Sequence, residues 1–69
     1  MMTPTETRDA LDELERLVDR HGLAQVLELL QVIAGLKAEH IRHTWQDEAL
    51  AKVWDRAGRR IAAIGLTAP

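Results

Sequence analysis

His40 and His43, three residues apart with Glu39 beside them, are the side chains of this sequence that most resemble a metal-binding pair. Zinc takes three or four converging ligands, and cysteine is absent here. A di-iron bundle uses Glu-x-x-His motifs, but the residue three before His40 is Lys37, and three before His43 is His40 itself. The pair therefore reads as structural. His40 falls among Leu29, Ile33 and Leu36 on a helical wheel, where it is expected to pack at a helix interface with one ring nitrogen bonded. His43 is expected to face solvent. No metal or cofactor is assigned.

Catalysis finds no foothold either. Serine and cysteine do not occur, and the threonines fall at helix caps or in the tails. No nucleophile–base pair can be assembled from that set, and no glycine-rich phosphate loop is present. Lys37 lies within an apolar arc near Val26 and Leu30, where its stem can snorkel to the edge or its ammonium pair with an acid of a neighbouring helix. No catalytic residue is assigned, and an enzyme is not expected.

Charge offers one further chemistry. Lys52, Arg56, Arg59 and Arg60 share one face of a predicted helix, the kind of face that meets nucleic-acid phosphates. Against that, the chain carries −2 overall, no aromatic is interleaved with the cations, and the helices are longer than those of a helix-turn-helix motif. Nucleic-acid association is the alternative reading. The halves differ in sign: residues 1–34 hold three arginines against seven acids, residues 35–69 six cations against four acids. Such polarity suits head-to-tail docking or a charged partner. A third reading, an inhibitor or adaptor of mobile-element type docking on a larger protein assembly, is permitted by the size and acidity.

These side chains must be positioned by helices. Ala, Leu, Glu and Arg are plentiful, Phe and Tyr are absent, and Pro and Gly number two and four, an all-helical inventory. Thr3, Pro4 and Glu6 form a T-x-x-E capping box that opens a first helix over about 4–20. Its stripe is Ala10, Leu11, Leu14, Leu17 and Val18, with charge elsewhere. Gly22 is placed to stop it in a left-handed C′ conformation. A second helix, about 23–42, follows with almost no loop. Thr44 is the expected cap of a third, about 45–64, whose stripe is Leu50, Val53, Trp54, Ala57, Ile61 and Ile64. No Gly or Pro marks that second corner, so a bend in one continuous helix is the other possibility. Residues 66–69 are expected to form a disordered tail.

The second helix dominates the reading. At 3.6 residues per turn, its apolar side chains fill an arc of roughly 200°, while one neighbour covers nearer 100°. The expected fold is therefore all-α, a small three-helix up-down-up bundle in one domain, completed by homo-oligomerisation. A 69-residue chain without disulfides or metal needs such help, since small domains bury a low fraction of their surface. Leu29, Val32, Leu36 and His40 are the expected self-association surface. Trp45 is either a corner staple or an interface anchor. The small-residue row Ala51, Gly58, Ala62 and Gly65 can admit either the second helix or another chain. The predicted role is a non-catalytic interaction or regulatory module working as a small homo-oligomer. The apolar run from Val26 to Leu36 is too short and interrupted to cross a bilayer, and Thr3 to Glu6 lack a signal-peptide pattern. A cytoplasmic location is expected, with no membrane contact.

Overall fold

The computed structural model describes all 69 residues and is entirely helical. Helix α1 runs Pro4–His21, α2 Leu23–His40 and α3 Glu48–Gly65, with a π-helical turn at Ile41–Trp45 extending α2. There are no strands. Three helices joined by tight corners are what the periodicity called for.

The start of α1 follows from its capping residues. The Glu6 backbone N–H donates to Thr3 Oγ1 at 3.1 Å, and Pro4 takes the first helical position. The Thr3 hydroxyl in turn donates to Glu6 Oε1 at 3.2 Å. Gly22, with φ at 85°, ends α1 and begins α2. Its N–H donates to the Val18 carbonyl at 2.7 Å, and its own carbonyl accepts from Val26 N–H at 3.2 Å. A left-handed φ at this position favours glycine.

The core lies between α2 and α3, which run antiparallel. Small residues make that seam: Ala34 and Ala38 on α2, Ala51 and Gly58 on α3 are all buried, Ala51 completely. A Cβ added to Gly58 would stand 3.5 Å from the Ala34 Cβ and 3.7 Å from the Gln31 carbonyl oxygen. The row Ala51, Gly58, Ala62 and Gly65 thus serves the chain's own α2. Of the two occupants the sequence allowed for this row, the structure selects the intrachain one. Small side chains permit close approach of the two backbones.

Past the seam the cover runs out. No buried side chain is larger than valine, and α1 has no buried residue. Helix α1 comes near α2 at few positions and near α3 at none. The chain is accordingly thin, 36 × 32 × 14 Å, with a radius of gyration of 14.0 Å. A compact domain of this length has a radius near 11 Å. The three helices are present, but within one chain they form an α2–α3 hairpin with α1 as an arm, not a closed up-down-up bundle. The reason is the corner: lateral packing of two antiparallel helices takes a loop of about two to five residues, and only Gly22 separates α1 from α2.

The second corner is sharper than a kink and later than the Thr44 cap implied. Helical hydrogen bonding persists to Trp45 as the π turn, Gln46 adopts φ 51° and Asp47 caps α3 by accepting from Leu50 N–H at 3.0 Å. Asp47 wins because its carboxylate sits at the positive end of the new helix. The tail is also placed: the Pro69 carbonyl accepts from Ala24 N–H at 2.8 Å, satisfying an otherwise free donor of the first turn of α2.

Three substitutions test this fold. Gly58→Ala fits ordinary van der Waals space and removes a helix-interior glycine, so it should stabilise by up to about 1 kcal/mol in urea unfolding. Gly58→Leu should cost about 1–3 kcal/mol by forcing the seam apart; equal tolerance of both would refute the close α2–α3 approach. At the second corner, Gln46→Gly should stabilise by about 1 kcal/mol, because a non-glycine residue is strained in the left-handed region.

Candidate protein-interaction surface

The geometry of the hairpin sorts its two broad faces by chemistry. On α2, Leu27, Ala34 and Ala38 point at α3, and roughly a quarter turn to one side come Gln31, Gly35 and Arg42. The matching quarter turn on α3 carries Asp55 and Arg59, which with Gln31 and Gly35 line a shallow groove. The opposite side carries Leu30 and Ile33 on α2 and Leu50, Ala57 and Ile61 on α3. The polar side is finished by a clamp. Arg42 donates from Nε to Glu48 Oε2 at 2.7 Å, and from Nη2 to Glu48 Oε1 at 3.0 Å and Asp55 Oδ2 at 2.9 Å. A bidentate guanidinium–carboxylate pair is the most directional ion pair available to a protein, and here it ties the π turn to the first two turns of α3.

The apolar side has no such partner. Leu29 and Ile33 on α2 are exposed, with Leu36 and Val32 also exposed round its back, as are Leu50, Val53 and Ile64 on α3. Leu36 presents 61% of its surface to water. Scattered exposed leucines are ordinary, but a contiguous apolar face marks an interaction site. Trp45 is 70% exposed at the end of the π turn, so it does not staple the corner. Helix α1 repeats the pattern with Leu11, Leu14 and Leu17, all exposed.

The expected surface residues therefore divide. Leu29, Val32, Leu36, His40 and Trp45 lie open to solvent, whereas Ala51, Gly58 and Ala62 are engaged with α2. His40 is exposed within the chain, and its Nδ1 lies 3.4 Å from Thr44 Oγ1. His43 is also exposed, with Nε2 3.8 Å from Glu39 Oε1. Trp54 is half-buried and Lys37 exposed. No three His, Asp or Glu side chains are gathered as a metal-ligand group. Lys52, Arg56, Arg59 and Arg60 are exposed on α3, Arg59 at the edge of the shallow groove. What the sequence did not announce was the Arg42–Glu48–Asp55 clamp. Its spacings of six and thirteen residues belong to no single-helix pattern and become neighbours only through the corner.

The clamp has an acid-sensitive consequence. The Arg42 hydrogen bond holds the Glu48 carboxyl below its ordinary range, the main cause, with the guanidinium charge adding to it. The Arg42 guanidinium is held protonated more firmly still, first by Glu48 and then by Asp55. With a folded value below the unfolded one, Glu48 adds stability that is present above its unfolded pKa and lost as pH falls through the folded value. Thermal melts of the parent and of Glu48→Gln should thus differ near neutral pH and converge in acid. A gap of constant size between pH 7 and pH 3 would refute the role.

No helix is long and apolar enough to cross a membrane. Comparison with protein-family models, with curated proteins and with solved structures found no match, so the functional reading rests on the chain's own surfaces.

Proposed function

We propose that this chain is a non-catalytic helical interaction module that works as a small homo-oligomer, with the open apolar face of the α2–α3 hairpin as its contact surface. One observation carries the reading. A single chain exposes 5690 Å², whereas a folded monomer of 7.8 kDa exposes about 4,400 Å². The excess of about 1,300 Å² per chain is larger than the roughly 800 Å² that each partner contributes to a standard stable interface. Exposed leucine, isoleucine and valine side chains contribute to it. Burial of such surface is the dominant favourable term in association.

The surface also has the composition of an interface rather than of a catalytic cleft. Leu29, Val32 and Leu36 carry the apolar surface round the back of α2, while His40 and Trp45 extend it towards the π turn. Tryptophan is favoured at interface anchors because it contributes large area with little conformational freedom to lose.

Light scattering over a dilution series tests the reading directly. The parent chain should have a multiple of the 7.8 kDa chain mass and a melting temperature that rises with concentration, as mass action requires. Leu29→Lys and Leu36→Lys should each give a smaller, less stable species, while Lys52→Ala should alter neither property. A parent that stays monomeric at high micromolar concentration would overturn the proposal, as would unchanged mass and melting in both leucine variants.

A further inference from the structure

Resting on the homo-oligomer reading, we infer that two copies exchange their first helices: α1 of each lies along the apolar face of the other's α2–α3 hairpin and closes there the three-helix unit that it cannot close in its own chain.

The corner supplies the first reason. Gly22 spends both its N–H and its carbonyl on the flanking helical ladders, so no slack remains for α1 to turn back along α2. The arm is therefore held out from the hairpin that matches it. Matching is the second reason. Helices α1, α2 and α3 each contain 18 residues, about 27 Å of helix, so an arm from another copy spans the whole hairpin face. Its stripe of Leu11, Leu14 and Leu17 is apolar and unpartnered.

Charge disfavours a contact between two arms. Helix α1 carries six acids against three arginines, and α3 carries four cations against two acids. The α3 cations lie on its polar side and back, so they do not draw α1 onto the apolar side, but an α1–α1 contact sets acid against acid. The area is sufficient: two reciprocal contacts draw on the excess surface of both chains, about 1,300 Å² each, against the roughly 800 Å² per partner of a stable dimer. Exchange of an identical element is a common route to two-fold dimers.

The test lengthens the corner in the full chain. Insertion of Gly-Ser-Gly-Ser-Gly after Gly22 supplies the missing loop, so α1 can fold onto its own hairpin. Light scattering should then report a monomer with the far-ultraviolet helicity of the parent, where the parent itself is a dimer. An inserted chain that stays dimeric and helical would overturn the exchange and leave the homo-oligomer standing. A parent that is monomeric throughout would remove both.

Cross-linking keeps the inference testable if the inserted chain does not fold. The sequence has no cysteine, so introduced ones report without background. Leu11 and Ile33 are equally far from Gly22 along the chain, and an exchanged arm sets them opposite each other. Chains carrying Leu11→Cys, refolded together with chains carrying Ile33→Cys and then oxidised, should give disulfide-linked heterodimers. Linkage confined to identical chains, Leu11→Cys to itself or Ile33→Cys to itself, would overturn the exchange.

Discussion

One glycine between two five-turn helices limits how much of this chain can shelter itself. Gly22 completes the ladder of α1 and opens that of α2, so the two helices diverge where longer loops would let them lie side by side. Everything distinctive about the shape follows: a thin molecule, an arm without buried residues, and a hairpin with one face uncovered. A chain of this size has little surplus stability to spend on exposed leucine. The constraint therefore bears on association as much as on the fold.

The hairpin itself is held by a different principle on each side. Between α2 and α3 the contact is made of alanine and glycine, which bring backbones close but bury little apolar area per residue. Such a seam is geometrically well defined and energetically modest. On the polar side, the Arg42 clamp crosses the corner and reaches both Glu48 and Asp55. These pairs are partly solvated, and exposed ion pairs contribute little on their own; their value lies in fixing the direction in which α3 leaves the π turn. The larger aliphatic side chains remain on the opposite face. The fold has placed its small residues inside and its bulky ones outside, the reverse of a self-sufficient core.

That inversion gives the proposed interaction module its physical logic. An insertion of one extra residue per turn, the π turn, falls where α2 gives way to the corner, a type of irregularity often found at working surfaces of helices. It carries Trp45, which is exposed, as are His40 and His43. A second copy brought against the hairpin would meet aliphatic side chains along its length and this aromatic group at one end.

Local sequence determined each helix and most of each boundary. The Thr3–Pro4–Glu6 start, the Gly22 stop and the periodic leucines act within a few residues, through capping hydrogen bonds and the 3.6-residue repeat. The excess of apolar surface on α2 was legible for the same reason, and Leu29, Val32 and Leu36 are indeed open within the chain. Tertiary structure alone decided which neighbour each face received. It assigned Ala51, Gly58 and Ala62 to α2, moved the α3 cap from Thr44 to Asp47, and joined Arg42 to Asp55 across the corner. It also left α1 unpacked. A helical repeat records which residues share a face, whereas the direction of that face depends on the few dihedral angles at Gly22 and Gln46, and no periodicity encodes those.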